Sequence, residues 1–158
     1  MSSTEVGLGS DQKAVIRTLM LRNLSEPFAS IREIVQVHFS GWPDFGTPAE
    51  PASIVSLVKV INEIASQRGK IVNAPLLVHC SAGCGRTGTF CTVDSAMQYL
   101  DSNGSAGDED LIYRSVLGLR EQRMSLVQTL RQYVLCYECV LYHLLENIAP
   151  QDSQINVE

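Results

Sequence analysis

The chain has 158 residues, 45% of them hydrophobic and 18% charged, the proportions of one soluble globular domain and too few for two. Twelve basic residues stand against seventeen acidic ones for a net charge of −5, and no run of Lys and Arg is present that could follow a phosphate backbone, which argues against nucleic acid as a partner. No stretch of about 18 apolar residues occurs, the first thirteen residues lack the apolar core of a signal peptide, and the five cysteines are an odd number, so a reduced cytoplasmic setting without a membrane span is expected.

Residues 1–13 are polar and without periodicity, and are expected to be a disordered head. AVIRTLMLRN (14–23) and IREIVQVHF (31–39) are rich in β-branched and apolar residues and read as two antiparallel neighbouring strands, with His38 packing at a strand end. SGWPDFGTPAEP (40–51) holds three Pro and two Gly and must be a loop of restricted torsions. Ile54, Leu57, Val58, Ile61 and Ile64 recur at spacings of three and four, the pattern of an amphipathic helix. APLLVHC (74–80) is short, apolar and non-periodic, as in a strand covered on both faces. A helix over 86–100, a solvated loop over 101–110 and a helix to about 120 follow. The spacing predicts a long, mostly apolar helix over 126–148 and a loose polar tail over 149–158. Helices flanking a mixed sheet place the chain in the α/β class.

Between the buried strand and its helix lies HCSAGCGRTG (79–88), whose letters from Gly83 to Gly88 match the dinucleotide fingerprint G-x-G-x-x-G. A strand, a glycine-rich turn and a helix aim backbone N–H groups and the positive helix end at an anion. A dinucleotide fold needs a second strand ending in an acidic residue about 20 positions on; here that place is the end of a helix and a solvated loop. The lysine of a Walker A loop is absent as well.

The loop does hold Cys80 at the strand end and Arg86 six positions later. A thiol facing a ring of N–H donors at a helix start has a lowered pKa and is a nucleophile at neutral pH. The planar fork of Arg86 matches two phosphate oxygens and the charge of a transition state. Thr87 is placed to donate its hydroxyl hydrogen bond to the thiolate as that sulfur leaves. The alternative, a small buried hydrophobe beside a capping arginine, fits a lone cysteine better than this combination with His79 and three glycines. Cys136 and Cys139 form a C-x-x-C inside an apolar helix with no second ligand pair, which favours core packing over zinc or redox chemistry.

VHCSAGCGRTGTF resembles the signature of the tyrosine-specific protein phosphatases, His-Cys, five residues, Arg, then Thr or Ser and Gly. WPDFGTP (42–48) resembles the mobile acid loop of that family and QTLRQY (128–133) its downstream glutamine motif, in the same order. The resemblance implies a protein tyrosine phosphatase-like fold and a cysteinyl-phosphate mechanism that needs no metal and no cofactor. It implies that phosphate rests on Ser81, Ala82, Gly83, Cys84, Gly85 and Arg86. Asp44 is the implied general acid, help usually worth about 10²- to 10⁴-fold. Gln128 orients the attacking water and Gln132 is the motif's second glutamine. Trp42 and Pro43 are the implied hinge and anchor of the acid loop, and Phe45 lies beside the substrate ring. Arg120 and Arg123 match supporting arginines, and His79 orients the cysteine loop.

The resemblance covers about 14–147, the C-terminal portion of the family's catalytic domain, giving a partial domain over 14–148. The segment that brings further strands and the aromatic wall of the tyrosine pocket has no counterpart here. Exposed edges and an uncovered core face are expected in such a chain, and the absent N-terminal part is itself a candidate partner besides phosphotyrosine proteins. Three functional readings compete: a phosphotyrosine-protein phosphatase, a non-catalytic phosphotyrosine-binding module or inactive fragment, and a phosphatase of broader range for phosphoserine, phosphothreonine or phosphoinositides. The acid loop and glutamine motif, and the lack of basic residues inside the cysteine loop, disfavour the last.

Overall fold

A computed structural model describes residues 2–148 except 10, 11, 27, 29 and 70–74. Three strands, β1 (Ser2–Gly7), β2 (Lys13–Leu21) and β3 (Arg32–Phe39), precede four helices, α1 (Pro51–Gly69), α2 (Gly85–Asn103), α3 (Leu111–Gln122) and α4 (Leu130–Ile148). The strands form one antiparallel sheet in the order β1-β2-β3, in register from Gly7↔Lys13 and Ala14↔Phe39 outward. The two strands expected over 14–39 are therefore present as neighbours.

The expected disordered head is corrected. Ser2–Gly7 pairs along its whole length with β2, Val6 packs on the core and Leu8 is completely buried. Polar side chains on an exposed edge strand leave no alternation to read, because the ladder to β2 supplies the order. A turn closed by Leu8 N–H to Gln12 O (2.7 Å) and Gln12 N–H to Gly9 O (2.8 Å) joins the two strands.

The helices follow the apolar spacing. Ile54, Val55, Leu57 and Val58 of α1, Phe90, Val93 and Met97 of α2, Ile112 and Val116 of α3, and Leu135, Cys136 and Cys139 of α4 form one core with Leu8, Ala14 and Trp42. Helix α2 is central, packed against α1, α3 and α4. It ends at Gly104, whose φ of 74° is left-handed and whose N–H bonds Leu100 O at 2.7 Å, a glycine cap. The helix thus runs three residues into the expected 101–110 loop. Asp110 starts α3 by accepting from Tyr113 N–H at 2.9 Å, as an N-cap carboxylate does.

Two further expectations are corrected. The helix expected from 126 begins at Leu130, since Ser125 (φ 66°) and Val127 (φ 57°) take left-handed backbone that a helix cannot contain. The segment 75–80, expected as a buried strand of a mixed sheet, pairs with no strand among the described residues, and Leu77 is 86% exposed; the observed sheet is antiparallel. An apolar run signals a buried strand only where the chain supplies neighbours for its two edges. The tail expected over 149–158 lies outside the described residues.

Candidate active site

The chain turns back on itself between Cys80 and the start of α2. Gly83 carries φ 68°, a conformation with no steric cost only for glycine, and its N–H then points at Cys80 Sγ, 3.2 Å away. Burial pushes the Cys80 thiol up, but hydrogen bonds from the Thr87 hydroxyl and from the N–H groups of Thr87, Cys84 and Gly83 outweigh it and bring the thiol from 9.0 to about 7. The Thr87 hydroxyl is buried and, beyond this electrostatic contact with the sulfur, meets no hydrogen-bond partner among the described residues. Cys84, in the same loop, turns its thiol to Ala82 O at 3.5 Å.

Arg86, in the first turn of α2, joins the cysteine loop to the acid loop. Its Nη1 donates to Trp42 O at 2.8 Å, and its Nη2 donates to Ser81 Oγ at 3.0 Å and pairs with Asp44 Oδ1. Ser81 Oγ donates to that same carboxylate oxygen at 2.8 Å. Trp42 is buried and its Nε1 donates to Gly46 O at 3.0 Å, while Gly46 N–H donates to Pro43 O at 3.2 Å. The turn between them puts Phe45 at φ 56°, largely exposed at the mouth. Three prolines and a buried indole thus hold a short loop whose acidic residue stays half in solvent.

The start of α4 forms the third wall. Thr129 Oγ1 accepts from Gln132 N–H at 3.2 Å, and Gln132 Oε1 accepts from the N–H groups of Thr129 (3.2 Å) and Gln128 (3.0 Å). This is a reciprocal capping box. Gln132 is 1% exposed and also donates through Nε2 to Gly46 O at 3.4 Å, so the helix cap touches the acid loop. Gln128, one residue before the cap, is exposed. Asp44, Phe45, Cys80, Ser81, Ala82, Gly85, Arg86, Gln128 and Gln132 line a single small pocket; Gly83 and Cys84 stand behind it and reach it through their N–H groups.

The two arginines lie one layer out. Arg120 donates from Nε to Leu126 O (2.9 Å) and from Nη2 to Val127 O (2.7 Å), fixing the left-handed stretch before the glutamines. Arg123 donates from Nε to Gly83 O (3.0 Å) and from Nη2 to Ala82 O (3.1 Å). Those carbonyls are drawn outward, and the N–H groups of the loop are left facing in. Gly88 closes the arrangement, since a Cβ there would lie 2.4 Å from Val127 N and 2.8 Å from Leu126 C. The exposed ring of His79 meets the Cys80 carbonyl (Nδ1, 3.3 Å) and not the thiol.

Sequence reasoning missed Ser81 as a side-chain partner of Asp44 and Arg86, and Thr129 as the cap of α4. The second was signalled by the T-x-x-Q spacing of 129–132. Cys136 and Cys139 are core residues as expected: burial pushes the Cys136 thiol up to about 12 and raises Cys139 as well.

The protein-tyrosine phosphatase family model matches residues 5–142. Receptor-type tyrosine-protein phosphatase alpha of Homo sapiens is 38% identical over 125 residues, which are 79% of this chain and 14% of that protein. Tyrosine-protein phosphatase 69D of Drosophila melanogaster is 44% identical over 70% of this chain and 7% of its own length, and tyrosine phosphatase H3 of Microplitis demolitor bracovirus is 38% identical over 74% of this chain and 36% of its own. The crystal structure of the Trypanosoma brucei protein tyrosine phosphatase TbPTP1 superposes with a TM-score of 0.70 at 33% identity, covering 83% of this chain and 42% of that one. The chain thus spans well under half the length of each of these relatives. With its cysteine loop, acid loop and glutamine motif brought into one pocket, this chain belongs to the protein-tyrosine phosphatase family.

Proposed function

We propose that the protein hydrolyses phosphotyrosine in proteins through a cysteinyl-phosphate intermediate. The observation that carries this reading is the meeting, in one pocket, of a thiol lowered to about 7 with the Arg86 guanidinium and the Asp44 carboxyl. In the first step the Cys80 thiolate attacks phosphorus; an S–P bond forms as the P–O bond to tyrosine breaks. Asp44 gives its proton to the departing phenolate. The fork of Arg86 and the loop N–H groups hold the three non-bridging oxygens as their charge shifts. In the second step a water oriented by Gln128 attacks phosphorus, Asp44 takes the proton, and the S–P bond breaks to release a thiolate held by Thr87. The acid loop must swing for substrate to enter, because Arg86 is bonded to Trp42 and Asp44 across the pocket.

The free state of all five cysteines suits action in the reducing cytoplasm. The test compares hydrolysis of a phosphotyrosine peptide by this chain and two variants. Cys80→Ser loses turnover while still binding phosphate, and Asp44→Ala slows turnover by about 10²-fold or more while holding substrate. Normal turnover by Cys80→Ser ends the mechanism. One observation favours the second reading, a phosphotyrosine-binding module or inactive fragment: the cysteine loop hangs from a segment paired with no strand among the described residues. That reading expects peptide binding without turnover in the unaltered chain.

A further inference from the structure

We propose that Ser81 is a positioning residue of the acid loop: its hydroxyl holds the Asp44 carboxylate in place over Arg86 and so sets the phosphate concentration at which the pocket fills. The inference rests on the phosphatase reading for the place where phosphate binds. Ser81 follows the nucleophile in the chain, yet its side chain serves a different loop. Its Oγ donates to Asp44 Oδ1 at 2.8 Å and accepts from Arg86 Nη2 at 3.0 Å. Among the described residues it bonds no backbone group of its own loop. A serine whose role was to shape the turn would spend its hydroxyl on a neighbouring N–H or carbonyl. Here that shaping falls to Gly83, with its φ of 68°, and to Arg123, which takes the Ala82 and Gly83 carbonyls.

The other contacts that hold the acid loop do not touch the Asp44 side chain. Arg86 Nη1 meets Trp42 O at 2.8 Å, while Gln132 Nε2 and the Trp42 indole meet Gly46 O at 3.4 and 3.0 Å. All three end on backbone oxygens. Among the described residues only Arg86 and Ser81 reach the carboxylate, and both act on Oδ1. The Asp44 side chain is 57% exposed, so water competes for it and its position depends on having both donors. The two are not equivalent. The Arg86 fork is also what a phosphate needs, whereas the single proton of the Ser81 hydroxyl serves one acceptor at a time. While that proton is on Asp44 it is withheld from a phosphate oxygen. Without it the carboxylate keeps one donor in place of two and yields the fork at a lower phosphate concentration.

The test reads binding and not turnover. Inorganic phosphate is titrated at neutral pH against alkylation of Cys80 by iodoacetamide, and the concentration that halves the rate is compared among the unaltered chain, Ser81→Ala, Ser81→Thr, Asp44→Ala and the double variant Ser81→Ala with Asp44→Ala. Ser81→Ala is expected to lower that concentration by about 2- to 10-fold, the worth of one hydrogen bond. Ser81→Thr, which keeps the hydroxyl, stays with the unaltered chain. In the Asp44→Ala background the same loss of the hydroxyl brings no gain, because the group it held is gone; such non-additivity is the mark of a direct coupling. A merely structural serine gives the opposite sign, since a loosened or misfolded loop binds phosphate more weakly in both backgrounds. The proposal is overturned by that weakening, by an equal change in both backgrounds, or by no phosphate protection of Cys80 in any of the proteins. Protection that follows the expected pattern without phosphotyrosine turnover would sink the catalytic reading and leave this one standing.

Discussion

At the scale of single residues, Cys80 owes its acidity to four donors that outweigh the cost of its burial. Two of them, the hydroxyl and N–H of Thr87, come from one residue. Alkylation of the chain by iodoacetamide, which reacts with thiolate, is accordingly expected to rise with pH around a midpoint near 7 instead of 9 for the one fast-reacting cysteine, because a lowered pKa puts the charged form in excess at lower pH. In Thr87→Val that midpoint moves up. A single midpoint near 9 in both proteins would remove the argument. Cys80 and Arg86 were legible from their own chemistry at a spacing of six, whereas Asp44, Gln128 and Gln132 were singled out by the resemblance of their motifs to those of the family. Ser81 and the turn of His79 away from the thiol were not legible. Both depend on which way a side chain points once the loop has closed.

At the scale of elements, the join between α2 and the 126–127 stretch is tighter than any other backbone approach at a glycine in the described structure. Gly88→Ala improves helix propensity by up to about 1 kcal/mol, but its methyl meets backbone atoms that Arg120 holds in place, and forced overpacking costs about 1–3 kcal/mol. The clash wins, so Tm falls by several degrees. Gly118 provides the opposite case on α3. Nothing lies within 4 Å of a Cβ there, so Gly118→Ala raises stability by about 0.4–1 kcal/mol. Urea melts of the two variants decide it, and equal signs would show that the contact at Gly88 is not what the geometry implies. Elements whose apolar spacing matches their own burial, α1 and α2 above all, were legible in the sequence. Those that depend on more than their own apolar pattern were misread: β1, whose order comes from β2; the segment 75–80, which pairs with no strand among the described residues; and the start of α4, preceded by the left-handed Ser125 and Val127.

At the scale of the molecule, apolar surface is poorly covered. Leu24 and Phe28 between β2 and β3, Leu76 and Leu77 before the site, and Leu130, Leu141, Leu145 and Ile148 along α4 are exposed. A groove beside Val134, Tyr137 and Leu141 belongs to the same α4 surface. Patches of this kind mark surfaces meant to be covered. The isolated chain is expected to bind a hydrophobic dye, to aggregate at micromolar concentration and to melt below the usual mesophilic range of about 45–65 °C. A soluble monomer with a cooperative melt inside that range would refute this.

The pairing of Asp44 with Arg86 gives the pocket a tenant of its own. The carboxylate accepts from Arg86 and from Ser81, so an incoming phosphate must evict it before the guanidinium is free. Affinity for substrate or for released phosphate is then the difference between two anions bidding for one cation. On the proposed mechanism Asp44→Ala is expected both to slow the chemistry and to take away the rival, which gives loss of turnover and longer retention of substrate a single origin.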